Sequence, residues 1–169
     1  MNRQTNQVLW AVATLVLAAN SAQAQLASNK ETLRGHQNVF VSVSTPDSEV
    51  AVNDLKLKKE SLENFVVKRL RRNNIDVSTT FTNQTLILEI KVDLVKVASV
   101  DDQDFFAFVS QFEAIQAARL ATNKQGALAT TWRETQFGGI TRENARLLRE
   151  SVILNLEKFI ADWNIVHGL

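Results

Sequence analysis

The chain has 169 residues with 19 basic and 18 acidic side chains, a balance that argues against a nucleic-acid partner and against strong attraction to a membrane surface. It contains no cysteine, which excludes thiol catalysis, iron–sulfur clusters, cysteine-ligated zinc and a lipid anchor on an N-terminal cysteine. Its 45% hydrophobic and 22% charged residues are ordinary for a globular domain.

The first 24 residues have the pattern of a cleavable secretory signal peptide. A polar start that carries Arg3 precedes an uncharged run over residues 8–19, which is too short to span a bilayer core that needs about 20 apolar residues. Residues 22–24 (Ala-Gln-Ala) form a small-x-small cleavage site, so we expect the mature chain to begin at Gln25. Export without a lipid anchor predicts a soluble protein of the bacterial periplasm.

A polar lead-in over residues 25–37 comes before the first periodic segments. Alternating valines predict a strand over 38–45, and apolar residues at spacings of three and four predict a helix over 57–73. Asn73-Asn74 can end that helix in the left-handed conformation, with Ile75 packing back against it.

Three or four more strands are predicted before the last helix. Residues 75–81 and 86–97 alternate between apolar and polar side chains. The alternation changes phase at Leu94–Val95, where we expect a β-bulge that places Val95 and Val97 on the apolar side of the strand. A polar turn at 101–104 follows. Residues 105–120 fit both alternation and a helical period, and we choose a strand, with a helix as the alternative. A turn at 123–126 leads to a last strand over 127–134.

Gly138-Gly139 interrupts the pattern and predicts a loop, after which Thr141 is suited to cap a long helix that ends near Asn164. The core stripe of this helix consists of Ala145, Leu148, Val152, Leu156, Phe159 and Trp163. The order β-α-β-β-β-β-α predicts a two-layer α+β fold: a mostly antiparallel sheet of four to five strands with both helices packed on one face. We expect a single domain over residues 38–169.

A second apolar stripe runs along the opposite side of the last helix. Leu147, Leu154 and Ala161 repeat every seven residues, which is the spacing of a helix–helix contact, and Ile165 continues the stripe. This face predicts a docking surface for a second copy of the chain or for another envelope protein. The alternative is that a loop or the first helix covers it within the monomer.

The last turn of the first helix carries a cluster of basic side chains. Lys68, Arg69, Arg71 and Arg72 can meet an anionic partner, such as phospholipid headgroups or an envelope polymer. The same residues suit the negative end of the helix dipole, which accounts for them without any partner.

The sequence contains no motif for catalysis, a metal ion or a cofactor. Its two histidines, His36 and His167, lie near the ends of the mature chain and are expected to be solvated. No Gly-x-Ser-x-Gly or His-Glu-x-x-His is present, and Gly138-Gly139 lacks the lysine and spacing of a phosphate-binding loop. We therefore predict a protein that is not an enzyme and needs no cofactor.

Three segments together resemble an uncharacterised family of exported bacterial proteins: residues 129–132 (Ala-Thr-Thr-Trp), Gly138-Gly139, and the helix end at 159–163 (Phe-Ile-Ala-Asp-Trp). The helix-to-strand segment 70–77 is similar to one in that family and to small α/β domains of periplasmic accessory proteins, such as the N-terminal domain of the Tol translocation protein. The resemblance implies no catalytic residues.

We therefore expect a binding or assembly accessory protein of the cell envelope. Two alternatives remain: a carrier of apolar ligands, which a closed cavity between sheet and helices would favour, and a hydrolase or transferase whose site is assembled from scattered residues.

Overall fold

The computed structural model describes residues 29–46, 57–82, 84–100, 103–120 and 122–169. The predicted signal peptide, the first residues of the lead-in and the first two residues of the predicted turn at 101–104 lie outside these ranges. After a short 3-10 helix (Asn29–Leu33), the elements are β1 (Asn38–Ser44), α1 (Lys59–Arg72), β2 (Asp76–Ser78), β3 (Leu86–Val100), β4 (Gln103–Arg119), β5 (Gly126–Ile140) and α2 (Arg146–His167).

The strands form one mostly antiparallel sheet in the order β2-β1-β3-β4-β5. The short β1 is parallel to both β2 and β3, whereas the long β3, β4 and β5 pair as two antiparallel hairpins. The helix α1 connects the parallel neighbours β1 and β2, as such pairs require a crossover. The predicted α+β fold and element order are confirmed, and so is the choice of a strand for residues 105–120.

The core lies between the sheet and the helices. Alternate residues of β1, β3 and β4 are buried, as the period of two in a strand with one covered face requires. The predicted core stripe of α2 is buried apart from Ala145, which is partly buried. Trp132 of β5 packs edge-to-face on Phe159, with ring centroids 5.3 Å apart. These rings join α2 to the outer strand of the sheet.

The end of α1 follows its sequence prediction. Asn74 has a left-handed φ of 58°, and the N–H of Ile75 donates to the carbonyl oxygen of Leu70 at 3.1 Å. The Ile75 side chain is buried against the core. The segment therefore closes α1 with a Schellman motif and its hydrophobic contact.

The predicted loop at Gly138-Gly139 is wrong, because both glycines lie within β5, which continues to Ile140. A Cβ atom on Gly138 would lie 2.5 Å from Cε1 of Phe108 on the neighbouring strand. Glycine is therefore present because the Phe108 ring needs the space, and not because the chain turns.

The predicted cap at Thr141 is also wrong. The helix α2 begins five residues later, at Arg146, and runs past Asn164 to His167. Thr141 instead donates its backbone N–H to Oδ1 of Asn144 at 2.6 Å, in the turn that precedes the helix.

The predicted β-bulge lies at Val97 rather than at Leu94–Val95, and Val95 and Val97 are exposed rather than buried. The position of the bulge explains the difference. Because the register shifts only after Lys96, the alternation that buries Ile90 and Val92 continues to Lys96. Val95 therefore lies on the face of the sheet opposite the helices.

Part of the predicted lead-in packs onto the domain. Leu33 is fully buried, and Thr32 Oγ1 donates to the carbonyl oxygen of Thr131 at 3.1 Å. His167 stacks on Trp163, and its Nε2 lies 2.9 Å from the carbonyl oxygen of His36. The histidines, expected to be solvated, thus join this segment to the end of α2.

Candidate functional site

The face of the sheet opposite the helices carries a charged cluster at its centre. Glu113 on β4 is 5% exposed and accepts hydrogen bonds from Arg133 Nε at 2.6 Å and from Lys91 Nζ at 3.2 Å. Lys91 also pairs with Glu89 at 2.8 Å. Burial raises the pKa of Glu113, but the hydrogen bonds from Arg133 and Lys91 outweigh it and hold the pKa below the ordinary value. Both carboxylate oxygens have cationic partners, so Glu113 ties three strands together and is poorly suited to proton transfer.

This cluster makes stability depend on pH. Because the folded-state pKa of Glu113 lies below its ordinary value of 4.5, the pairs stabilise the fold above that pH. The contribution is lost as the pH falls through the lower folded-state pKa. Glu113→Gln is therefore expected to cost about 1–3 kcal/mol at neutral pH.

Urea unfolding at pH 7 and at about pH 2 measures this cost. The difference in the free energy of unfolding between wild type and variant should shrink at the lower pH. Glu150→Gln, at an exposed position on α2, serves as the control and should change little at either pH. A gap that stays constant with pH would mean that the Glu113 charge does not stabilise the fold.

Beside the charged cluster, the same face carries exposed apolar side chains near the end of the β3–β4 hairpin. We call them the distal sheet patch: Val95, Val97, Phe105 and Phe137. The register sets Val95 of β3, Ala107 of β4 and Gly139 of β5 in one row, next to the row that contains Phe137. Val95 is 62% exposed and Phe137 is 54% exposed. The sequence reasoning missed this patch because it assigned Val95 and Val97 to the core and Phe137 to a loop.

The stripe predicted on the outer side of α2 is exposed. Leu154 and Ile165 are 60% and 59% exposed, and Leu147 and Ala161 are also exposed. None of the described residues covers this stripe in the way that the alternative expected. The docking role of the stripe stays a prediction.

The basic residues at the end of α1 do not converge on one site. Arg69 turns towards α2 and donates from Nε to Glu157 Oε1 at 2.7 Å, and this hydrogen bond raises the pKa of Arg69. Lys68, Arg71 and Arg72 are exposed. One of the four cations thus joins the two helices, and anion binding by the others stays a prediction.

Two carboxylates approach each other where β5 meets α2. Burial raises the pKa of Glu134; Lys158 opposes this rise, and the nearby Asp162 charge adds to it. Asp162 is itself engaged, because it accepts hydrogen bonds from Trp132 Nε1 at 3.0 Å and from Lys158 Nζ at 2.8 Å. With both of its oxygens occupied, Asp162 holds Trp132 in place and is not free to act as an acid or base.

Within the described ranges, no three histidine, aspartate or glutamate side chains are grouped so that they could hold a metal ion. In the same ranges, neither helix combines the length and apolar character needed to cross a membrane.

No protein-family model matches the chain, and no curated protein matches it. Among solved structures, it is similar to a neuraminyllactose-binding hemagglutinin homolog from Helicobacter pylori, with 10% identity over 80% of this chain and 91% of that one, at a TM-score of 0.41. It is similar to the rare lipoprotein B from Shewanella oneidensis, with 12% identity over 76% and 96% of the chains, at a TM-score of 0.36. A third is the PelC dodecamer from Paraburkholderia phytofirmans, with 18% identity over 73% and 87% of the chains, at 0.35.

One of these three proteins is a lipoprotein by name, but all three TM-scores lie below 0.5, so the similarities carry no functional argument.

Proposed function

We propose that this protein is a non-enzymatic binding or assembly accessory of the bacterial cell envelope, and that it docks a partner protein through the distal sheet patch. The observation that best supports this function is the exposure of Val95 and Phe137 on a sheet face that neither of the two described helices covers. Contiguous exposed apolar surface is costly in water, and a patch with a polar rim is typical of an interaction site.

The surroundings of the patch suit a preformed interface. Its side chains project from three hydrogen-bonded strands, so little conformational entropy is lost when a partner binds. The cluster of Glu113 with Lys91 and Arg133 supplies a charged rim on one side. An apolar centre with a polar rim is the usual arrangement of a protein interface. The predicted signal peptide supports the envelope location.

A pull-down from envelope extract tests the docking surface with matched variants. Val95→Lys combined with Phe137→Lys introduces two charges into the distal sheet patch at exposed positions, so the fold is expected to persist. Leu147→Lys combined with Leu154→Lys does the same on the outer stripe of α2. We expect wild type and the α2 variant to retain the same partner and the sheet variant to lose it, with all three giving the same circular dichroism spectrum.

Each other outcome is informative. Loss of the partner in the α2 variant alone would move the docking surface to the outer stripe, and loss of a self-associated species on size exclusion would identify the partner as a second copy. Equal retention by all three proteins would contradict docking through either surface.

A further inference from the structure

An open groove of about 450 Å³ lies between the N-terminal halves of α1 and α2. Its floor is formed by Leu148 and Val152, which are buried, and its walls include Leu62, Phe65 and Ala145. Sites for small molecules commonly have volumes of about 300–1,000 Å³ and mostly apolar linings. The groove is therefore of a size and character that suit a small apolar ligand.

The rim of the groove carries positive charge. Among the described residues that line the groove, the ionisable ones are Lys58, Arg146 and Arg149, and each of them is basic and exposed. An apolar floor with a cationic rim is complementary to a molecule that has an apolar body and an anionic end.

The start of α2 adds to this positive charge, whereas the first turn of α1 contains the acidic Glu60. The N-cap residues of α1 and α2 are Lys58 and Ala145, and neither caps its helix with a side-chain hydrogen bond. The start of a helix favours negative charge, yet the first turn of α2 contains Arg146 and no acidic residue. A positive charge in the first turn destabilises the helix, and an anion bound at this point would offset that destabilisation.

We propose that this groove binds a long-chain fatty acid, with the acyl chain between the helices and the carboxylate held by Arg146 and Arg149. The planar guanidinium group matches a carboxylate with two parallel hydrogen bonds. An extended peptide fits less well, because the walls are helices whose backbone groups already bond within the helix and offer it few main-chain partners. This ligand site is separate from the docking surface proposed above and does not depend on it.

Titration calorimetry of the purified protein tests the site with three probes. Dodecanoate, below its micelle concentration, supplies both the chain and the charge. Dodecanol supplies the chain alone, and butyrate supplies the charge with almost no chain. We expect saturable binding of one dodecanoate and binding of dodecanol weaker by about tenfold or more, because dodecanol lacks the charge-assisted hydrogen bonds. Butyrate should give no detectable heat, because it has almost no chain to bury in the groove.

Two sets of variants locate the bound molecule. Arg146→Gln with Arg149→Gln should weaken dodecanoate by about tenfold or more and leave dodecanol unchanged. The matched control, Arg71→Gln with Arg72→Gln, removes the same charge at the far end of α1 and should bind like wild type. Ser61→Trp fills the groove from an exposed position and should abolish binding of both probes.

Several results would overturn the proposal. Unchanged dodecanoate binding in the Arg146 and Arg149 variant, or in the Ser61 variant, would mean that the fatty acid binds elsewhere. Equal affinity for dodecanoate and dodecanol would refute recognition of the carboxylate. Absence of dodecanoate binding, together with saturable binding of an acidic peptide that Ser61→Trp blocks, would assign the groove to a protein segment instead.

Discussion

Trp163→Ala is expected to destabilise the protein by about 3–5 kcal/mol, because removal of a buried aromatic side chain loses its transfer free energy and leaves a cavity. Trp163 is buried in the core stripe of α2, lies 5.9 Å from Phe159 between ring centroids, and stacks on His167 at 4.3 Å. It therefore supports both the sheet contact of α2 and the contact with the lead-in. Urea unfolding followed by far-ultraviolet circular dichroism measures the change.

Leu154→Ala is the matched control on the same helix, since Leu154 belongs to the exposed outer stripe. It should alter the free energy of unfolding by less than about 0.5 kcal/mol. A cost below about 1 kcal/mol for Trp163→Ala would show that the ring is not part of the core and would make it a candidate for a binding surface.

The second large effect is expected at Gly138. Gly138→Ala should cost about 1–3 kcal/mol, because the new methyl group would overlap the Phe108 ring and overpacking forces neighbours out of their preferred rotamers. Gly139→Ala is a control one residue away. Its Cβ would meet only a backbone oxygen of Phe106 at 3.9 Å, which is an ordinary contact, so a small effect is expected. Thermal and urea unfolding of both variants give the comparison.

A double-mutant cycle tests whether the Phe108 ring causes the Gly138 effect. Phe108→Leu shortens the obstructing side chain, so Gly138→Ala should cost less in that background than in wild type. If instead Gly138→Ala is as harmless as Gly139→Ala, the segment is a tolerant loop, as the sequence alone suggested, and its place in β5 is wrong.

Much of the fold could be predicted from local patterns. Alternation of apolar residues located β1, β3 and β4, and the spacing of three and four located both helices. The Asn73-Asn74-Ile75 stop of α1 depends on backbone geometry within a few residues, so the sequence contains all of the information that this stop needs.

The errors concern interactions between distant parts of the chain. Whether Val95 faces the helices depends on where the pairing of β3 with β4 places the bulge, and this is not visible in the pattern of β3 itself. The sequence predicts a loop at Gly138 because glycine weakens strands, whereas the glycine is there to leave space for the ring of Phe108, thirty residues earlier. Thr141 has the residue type of a helix cap, but the turn that Asn144 closes separates it from α2, which begins at Arg146.

The candidate surfaces also differ in whether they follow from local sequence patterns or from contacts between distant segments. The outer stripe of α2 follows from a single helical period and was found from the sequence. The distal sheet patch requires the register of three strands, and the groove requires two helices that are more than seventy residues apart. A signal for the patch was nevertheless present, since Val95 has the same alternation phase as Lys91 and Asp93, which lie on the polar side of the strand.

Photo-crosslinking in the cells that produce this protein is the most direct test of a binding function for the distal sheet patch. A photoreactive phenylalanine analogue is introduced at position 137, and at position 128 as the control. Leu128 is 61% exposed on the same strand, about 30 Å away at about 3.3 Å per residue. A docked partner predicts a product of one defined higher mass from position 137 and none from position 128. Docking at the patch would be contradicted if position 137 gave no crosslinked product, or if positions 137 and 128 gave the same products.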